Sequence, residues 1–293
     1  MKGFVYKMVA VLLLIVIIDC FVGFVGKKVV MSMPENNAYV SKTTYAMLKV
    51  KAELLVLGAS KASHGYNSNI LTDSLGLETY NAGSDGCDMM YYDMMLAGIL
   101  SRCRPKVIIL DMASLALDAQ IGLDSNRFLY GISPVVDDYF EQNTSYIEHI
   151  KLKSSLYRYN GFYVLLASTY MNREITTRGY EPLDGNMNMA EVRINGEFHP
   201  NEREVYYFKS FIEKTKKYGI KLYVFISPSF GINPKSNEYV KKLCEGENVF
   251  FKDFSQEKIF LKPAFFKDDA HLNSEGADAY TKYIINTIIK NLH

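Results

Sequence analysis

The 293-residue chain has no tryptophan, only five histidines and four cysteines, and no surplus of either charge. Lysine and arginine number 33 and aspartate and glutamate 32, which leaves a formal net charge of +1. Proteins that bind nucleic acid through its phosphates need a basic surplus to release counterions, so this balance argues against that class. Hydrophobic residues make up 48% of the chain, which is ample for a packed core.

The cysteines do not form a metal-binding pattern; they are Cys20, Cys87, Cys103 and Cys244. None belongs to a Cys-x-x-Cys pair, and none has the spacing to histidine that zinc sites use. A Cys87–Cys103 disulfide is compatible with an oxidising compartment, but buried free thiols are the preferred interpretation. We therefore expect no metal site and no cofactor.

An almost unbroken apolar run extends from Met8 to Val25, with two lysines before it and two after it. As a helix it would measure about 27 Å, close to the roughly 30 Å hydrocarbon core of a bilayer. Asp19 is its one charged residue, and a carboxylate at mid-bilayer costs roughly 2.5–3.5 kcal/mol, less toward the end of a span.

The alternative to a membrane anchor is a cleaved signal peptide. Signal peptides usually have a shorter apolar region followed by a small-residue cleavage site, and no such site follows this run. The residues before Cys20 are also not the small ones of a lipoprotein signal. We expect an uncleaved single-pass anchor at residues 1–28, with the rest of the chain on the extracytoplasmic side, periplasmic or on the outer face.

Residues 29–50 are polar, which predicts a linker, and residues 51–293 have the pattern of one α/β domain. Short apolar runs alternate with helical patterns; strands are predicted at 53–58, 77–81, 107–111, 221–226 and, more weakly, 248–251. This alternation predicts a three-layer α/β/α sandwich with a mostly parallel sheet. Between about 115 and 202 the alternation fails, which predicts a helical insertion, either a lid or binding element or a packing elaboration.

Two segments carry the residue types of a serine nucleophile and its base. Gly58-Ala59-Ser60 follows the first predicted strand, at the sheet edge where open α/β folds collect their active sites. Asp268 and His271 lie three residues apart before a helix, a spacing that lets the carboxylate orient the imidazole toward a serine. Each segment alone could be a helix cap, but together with Gly83 after the second strand they favour catalysis. His64 is expected to be a solvated loop residue.

These segments resemble the sequence blocks of the SGNH/GDSL hydrolase superfamily. Gly58-Ala59-Ser60 is similar to the Gly-Asp-Ser turn of the first block, and Asn81-Ala82-Gly83 is similar to the second. The segment from Asp268 to Gly276 is similar to the last block, Asp-x-x-His-Leu-Asn followed by glycine. The resemblance covers roughly residues 50–115 and 203–292, and it implies an SGNH or flavodoxin-like sandwich.

The resemblance also implies roles for individual residues. Ser60 would be the nucleophile, His271 the general base and Asp268 the residue that orients it. The backbone N–H groups of Ser60 and Gly83 would form the oxyanion hole, and Asn81 would lie with them on the substrate-binding side.

Two positions depart from the family pattern. Ala59 stands where aspartate is typical, and that position is not the nucleophile. The third block, Gly-x-Asn-Asp after the third strand, is absent, and the chain there continues Asp111-Met112-Ala113-Ser114. Loss of one oxyanion donor typically costs about 3–4 kcal/mol, so we expect Ser114 or a group from the insertion to replace the asparagine.

Two groups of membrane-anchored members of the superfamily resemble this chain more closely: the O-acetyltransferase-like proteins of exopolysaccharide export and the D-alanyl-teichoic-acid transfer proteins. Like this chain, they have an N-terminal anchor and a degenerate third block. The likeness implies a membrane-tethered serine esterase or O-acyltransferase that acts on acyl, most simply acetyl, esters of a cell-surface or exported glycan. It also implies a membrane-bound acyl-transfer partner. Two alternatives stay open: a catalytically weak or inactive accessory protein of envelope polysaccharide assembly, and a lipid esterase or thioesterase.

Overall fold

The computed structural model describes residues 2–35, 39–112, 114–116, 121–171, 178–188 and 191–292. The strands in this part of the chain are β1 (Leu54–Gly58), β2 (Thr79–Asn81), β3 (Val107–Asp111), β4 (Arg193–Ile194), β5 (Lys221–Ile226), β6 (Gly231–Ile232) and β7 (Phe250–Asp253). Five of them form one parallel sheet in the order β2-β1-β3-β5-β7, and β4 pairs with β6 separately.

The helices of the same part of the chain are α1 (Lys2–Ser32), α2 (Tyr39–Leu48), α3 (Ser60–Gly65), α4 (Ser68–Leu75), α5 (Met89–Leu100), α6 (Ile121–Asp124), α7 (Pro134–Asn143), α8 (Tyr146–Leu152), α9 (Ser155–Arg158), α10 (Phe162–Met171), α11 (Glu202–Lys217), α12 (Pro234–Gly246) and α13 (Ser274–Leu292). Short 3-10 turns occupy Arg127–Leu129 and Pro263–Phe265.

Both faces of the sheet are covered, because successive strand residues point to opposite sides. Leu55 and Leu57 of β1 pack on the side of α2, α5 and α11, while Leu54 and Val56 pack on the side of α3, α4 and α13. All of β1 and β3 is buried. The predicted α/β/α sandwich with a parallel sheet is confirmed, and the continuous apolar strands reflect burial on both faces.

The helices between the strands begin and end where local chemistry favours it. At the start of α4 the side chain of Asn67 accepts hydrogen bonds from the N–H groups of Asn69 and Ile70, and Gly76 ends the helix in the left-handed conformation with φ 64°. Asn201 caps α11 in the same way, through the N–H of Arg203. These caps turn the chain back so that each new strand runs parallel to the last.

The segment predicted as a linker, residues 29–50, is not one. The long helix α1 continues to Ser32, and α2 packs against α5 with Val40 and Met47 buried. Its polar residues are buried as well: the Thr44 hydroxyl donates to the Val40 carbonyl, and Thr43 bonds the hydroxyl of Tyr91 at 3.0 Å. Hydropathy fails here because these polar groups find internal hydrogen-bond partners.

The insertion divides into two parts with different positions. Within the predicted helical insertion, residues 146–171 form three separate helices, α8, α9 and α10, with Ser145 and Ser154 as N-caps of α8 and α9. Of these helices, α9 packs against α1, α10 against α2 and α8 against α9. Residues 178–188 contain no strand and lie beside α3, because the Glu181 N–H donates to the Ser63 carbonyl.

Within the described residues, α1 is the helix long and apolar enough to cross a bilayer, with a mean hydropathy of 3.0 over its most apolar window. A signal sequence near an N-terminus has the same length and composition. Every residue from 2 to 18 is exposed, and contacts with the rest of the chain begin at Asp19.

Candidate active site

Ser60 is the first residue of α3, two residues after β1 ends at Gly58. Gly58 has φ 142°, and a Cβ atom there would lie 2.6 Å from the carbonyl oxygen of Asp111 on the neighbouring strand. Only glycine therefore allows β1 and β3 to approach this closely before the chain turns. The turn holds the Ser60 hydroxyl at the carboxyl edge of the sheet.

A continuous hydrogen-bonded chain joins the three residues predicted as catalytic. The Ser60 Oγ lies 2.7 Å from His271 Nε2. On the other side of the ring, His271 Nδ1 lies 2.9 and 3.0 Å from the two carboxylate oxygens of Asp268. Since Nδ1 faces a carboxylate and donates to it, Nε2 is left as the acceptor for the serine proton.

The Asp268 carboxylate is fixed by its own loop. Its Oδ1 also accepts the backbone N–H groups of Ala270 and His271, both at 2.9 Å. Partial burial opposes the charged form, but the hydrogen bonds from the His271 ring and these N–H groups hold the pKa of Asp268 below its ordinary value. The residue stays a carboxylate at neutral pH, as the orienting partner of an imidazole must.

The loop that carries His271 is tied to its surroundings by its backbone. The Lys267 N–H donates to the His271 carbonyl, and the Phe230 N–H donates to the carbonyl of Asp269. The Asn273 amide donates to the carbonyls of Gly185 and Ala264, and its oxygen accepts the N–H of Gly276. These bonds explain how a loop following a 3-10 turn can hold a ring in one position.

The second block does not contribute to the site as expected. The Asn81 side chain is fully buried, and its amide donates to the carbonyls of Ala62 and Tyr66. Its oxygen accepts the N–H of Gly83 at 2.9 Å. The predicted substrate-binding role of Asn81 is therefore wrong: the side chain clamps α3 to the end of β2. The Gly83 N–H, predicted as an oxyanion donor, donates to the Asn81 side chain instead.

The Ser60 N–H is a better-placed donor. It belongs to the first turn of α3, where N–H groups have no acceptor within the helix. Gly83 has a packing role instead, since a Cβ atom at that position would lie 2.5 Å from the Ser63 backbone nitrogen. The glycine is required for close contact between the turn after β2 and α3, the helix that begins with Ser60.

Ser114 does not replace the missing third-block asparagine in this geometry. Its hydroxyl accepts the Ala116 N–H at 3.1 Å, a local turn contact. Among the residues that the structure describes, no hydrogen bond joins Ser114 to Ser60 or His271. At the end of the same strand lies the buried Asp111, and burial raises the pKa of its carboxyl group.

A buried cluster of titratable residues beside the triad was not predicted. His64, expected to be solvated, is buried, and its ring lies edge-on to that of His271 with 5.9 Å between centroids. Its Nδ1 lies 2.7 Å from the Glu181 carbonyl and its Nε2 lies 3.2 Å from the Asp85 carboxylate. Next to it, the buried Lys42 ammonium donates to the Glu181 carboxylate at 2.7 Å and to a serine hydroxyl of α3 at 2.8 Å.

The His64 contacts indicate an imidazolium. A carbonyl oxygen can only accept, so Nδ1 donates, and a carboxylate next to Nε2 is best matched by a second N–H. Burial alone would lower the pKa of His64, but the hydrogen bonds to Asp85 and Glu181 outweigh it and raise the pKa above the ordinary value. The sequence signal was available: His64 is four residues after Ser60, which places both on one face if α3 is a helix.

No group of three or more histidine, cysteine, aspartate or glutamate side chains in the described ranges is arranged to hold a metal ion. The four cysteines are free thiols. Burial raises the pKa of Cys87 to about 11, so that thiol is not poised as a nucleophile.

No protein-family model matches the sequence, and a search of curated proteins gave no significant match. Among solved structures, the chain is similar to a provisionally assigned lipolytic protein of the G-D-S-L family from Desulfitobacterium hafniense, with 12% identity, a TM-score of 0.43 and coverage of 80% of this chain and 97% of that one. It is also similar to the esterase EstA from a Pseudoalteromonas species, with 12% identity, a TM-score of 0.43 and coverage of 82% of this chain and 98% of that one. The same holds for an acetylxylan esterase from Geobacillus stearothermophilus, with 11% identity, a TM-score of 0.41 and coverage of 82% of this chain and 96% of that one.

These likenesses are too distant to transfer an activity. Identities are below 15% and the TM-scores are below 0.5. The function is therefore inferred from the geometry of the site itself.

Proposed function

We propose that the protein is a serine esterase or O-acyltransferase of SGNH type. The observation that carries the proposal is the unbroken chain from the Ser60 hydroxyl through the His271 ring to the Asp268 carboxylate, with steps of 2.7 and 2.9 Å. The three residues come from opposite ends of the chain, so local structure alone does not explain their meeting. A nucleophile, a base and an orienting carboxylate in this order are what acyl transfer requires.

The chemistry follows from the positions of the protons. His271 Nε2 takes the hydroxyl proton as Ser60 Oγ attacks the ester carbonyl, and the Asp268 carboxylate stabilises the imidazolium that forms. The Ser60 N–H stabilises the negative charge on the carbonyl oxygen. The imidazolium then gives its proton to the departing alcohol, which leaves an acyl group on Ser60. Water or an acceptor hydroxyl attacks that acyl group in the second half, with His271 again as base.

The proposed substrate is an acyl, most simply acetyl, ester of a cell-surface or exported glycan. The site is open, since the Asp268 side chain is half exposed and that of His271 about a quarter exposed. The groups next to it, His64 and Asp85, are charged and suit hydroxyl-rich molecules better than a long acyl chain. The apolar helix α1 supports membrane anchoring, with the site on the extracytoplasmic side, where a membrane-bound acyl-transfer partner could supply the acyl group.

Two observations favour the second candidate, an accessory protein with weak or no activity. The Gly83 N–H is occupied by Asn81, and the third-block donor is missing. This site keeps one oxyanion donor where the family pattern has three. Each missing donor would raise the activation free energy by roughly 3–4 kcal/mol, which slows the reaction by about 10²–10³ per donor. Glycan binding without turnover would then be the retained function.

The test uses the full chain reconstituted in lipid nanodiscs, with a fluorophosphonate probe and an activated acetyl ester. Labelling at Ser60 that is lost in Ser60→Ala and His271→Ala supports the enzyme. The matched control is His149→Ala, which removes a histidine on α8 that contacts Glu141 and Tyr130. If folded wild-type protein is neither labelled nor active, the accessory role replaces the enzyme.

A further inference from the structure

Three short helices of the insertion, α8, α9 and α10, expose apolar side chains, and α9 packs against α1. The residues, named here the apolar patch, are Tyr146, Ile147, Ile150, Leu156, Tyr163 and Val164. Tyr146 is 81% exposed, Ile147 66% and Val164 74%, values that are high for aromatic and branched apolar side chains. Several large apolar side chains exposed on neighbouring short helices indicate an interaction surface.

The apolar patch lies on one side of α8 and on one side of α10. In α8 the exposed apolar residues are at positions i, i+1 and i+4, while Leu152 is buried. In α10 the exposed Tyr163 and Val164 follow the buried Phe162. An apolar stripe opposite a buried side is the pattern of a helix that packs on the protein with one face and meets an apolar medium with the other.

The patch is fixed to a defined level of α1. The Asp19 carboxylate accepts hydrogen bonds from the Ser154 hydroxyl at 2.6 Å and from the N–H groups of Ser155 and Leu156 at 3.0 and 2.9 Å. It therefore caps the N-terminus of α9. A turn further along, a Cβ atom at Gly23 would lie 2.4 Å from the Ser155 hydroxyl, so the helices touch closely.

The close contact between α1 and the α9 segment continues further along α1. A Cβ atom at Gly26 would lie 2.6 Å from the ring of Tyr159, just after α9. Small residues at these two positions let the helices approach. The charged residue that seemed out of place in an apolar run is thus satisfied by α9.

The position of Asp19 sets the depth of the patch. If the apolar run from Met8 to Val25 spans the bilayer, Asp19 is six residues (25 minus 19) inside its end, about 9 Å at 1.5 Å per residue. The exposed part of α1 before Asp19, residues 2–18, measures only about 26 Å, less than the roughly 30 Å core. With either placement of α1 in the bilayer, Asp19 and the start of α9 lie at the edge of the hydrocarbon core or inside it.

We propose that α8, α9 and α10 lie in the bilayer interface, with the apolar patch inserted among the lipids beside the membrane-spanning α1. Interfacial helices bury their apolar face about 5–10 Å, which matches the depth derived from Asp19. Two of the six patch residues are tyrosines, a residue type enriched at membrane interfaces. The bilayer would hold the domain in one orientation through two attachments rather than one. This inference rests on the proposed anchoring by α1 and is independent of the catalytic proposal.

The absence of tryptophan makes the test direct, since a single introduced tryptophan is the only indole in the protein. The full chain is reconstituted in vesicles whose lipids are either unmodified or brominated along the acyl chains, and tryptophan emission is compared. The patch reporters are Ile147→Trp and Val164→Trp. Leu13→Trp reports on α1, and Tyr206→Trp, an exposed aromatic position on α11, is the control.

We expect brominated lipid to quench the two patch reporters as well as Leu13→Trp, while Tyr206→Trp is unchanged. Quenching at Leu13 without quenching at the patch would overturn the inference and leave the anchor intact. No quenching at Leu13 would overturn the anchor and the patch together. Fluorophosphonate labelling of Ser60 in the same samples reports separately on the proposed enzyme.

Discussion

Removing the charge of Asp268 gives a quantitative test of the proposed triad. Two unit charges about 4 Å apart interact by about 4 kcal/mol at an effective dielectric constant of 20 and by about 1 kcal/mol in bulk water. The Asp268 side chain is 50% exposed, so its stabilisation of a His271 imidazolium lies between these limits, roughly 2 kcal/mol. That free energy corresponds to about a 30-fold loss of rate for Asp268→Asn. This loss counts the charge alone and is smaller than the roughly 10⁴-fold loss in a triad whose asparagine variant also holds the histidine in the wrong tautomer.

The assay is kcat for hydrolysis of an activated acetyl ester by the full chain, with the rate of fluorophosphonate labelling as a second readout. The matched control is Asp269→Asn, which removes the adjacent carboxylate that pairs with Arg193 at 3.1 Å, and which should leave kcat near the wild-type value. A loss as large as that of His271→Ala would show that the exposed-carboxylate estimate is wrong. An equal loss of kcat in Asp268→Asn and Asp269→Asn would show that either substitution disturbs the loop, and that the effect is not specific to the Asp268–His271 pair.

Three further predictions concern the groups around the triad. Gly83→Ala should destabilise the fold by about 1–3 kcal/mol in urea unfolding, because its Cβ would meet the α3 backbone, whereas Gly196→Ala, with open space around it, should be neutral. The pKa of His64 is raised in the folded state, so its contribution to stability should be complete below the ordinary histidine pKa of about 6.5 and be lost as pH rises through the folded value. His64→Gln should remove that part of the pH dependence of the free energy of unfolding, and an unchanged profile would refute the imidazolium. Lys42→Met should destabilise the protein by about 3–5 kcal/mol, because the partly buried Glu181 loses its ammonium partner; a neutral effect on the unfolding midpoint would contradict this.

Much of the fold was predictable because its signals are local. The strands at Leu54–Gly58, Val107–Asp111 and Lys221–Ile226 are continuous apolar runs, and such runs occur where both faces of a strand are covered. The weaker pattern near residue 250 is a strand at the sheet edge, Phe250–Asp253, which is only partly buried. By contrast, α2 was missed because its polar residues are buried against internal partners, which no hydropathy pattern records.

The candidate site shows the same division. Ser60, Asp268 and His271 could be selected from the sequence because each chemical role needs a particular residue type in a short local arrangement. The roles of Asn81 and Ser114 could not be inferred in this way. Whether an amide or hydroxyl faces a ligand or the protein depends on which backbone groups lie nearby. For Asn81 these are the carbonyls of Ala62 in α3 and of Tyr66 just after it, 19 and 15 residues earlier in the chain.

By itself, the sequence determined the sandwich of helices around a parallel sheet, the apolar N-terminal helix and the three residues of the candidate triad, because periodicity and short motifs depend on neighbours along the chain. Only the tertiary structure decided that Ser60 and His271, 211 residues apart, meet at 2.7 Å, and that His64 is buried beside them. It alone showed that Asp19 caps a helix of the insertion. Contacts between distant segments depend on how the elements pack, and the energetic cost of a buried or membrane-facing charge can be judged only when its partner is known.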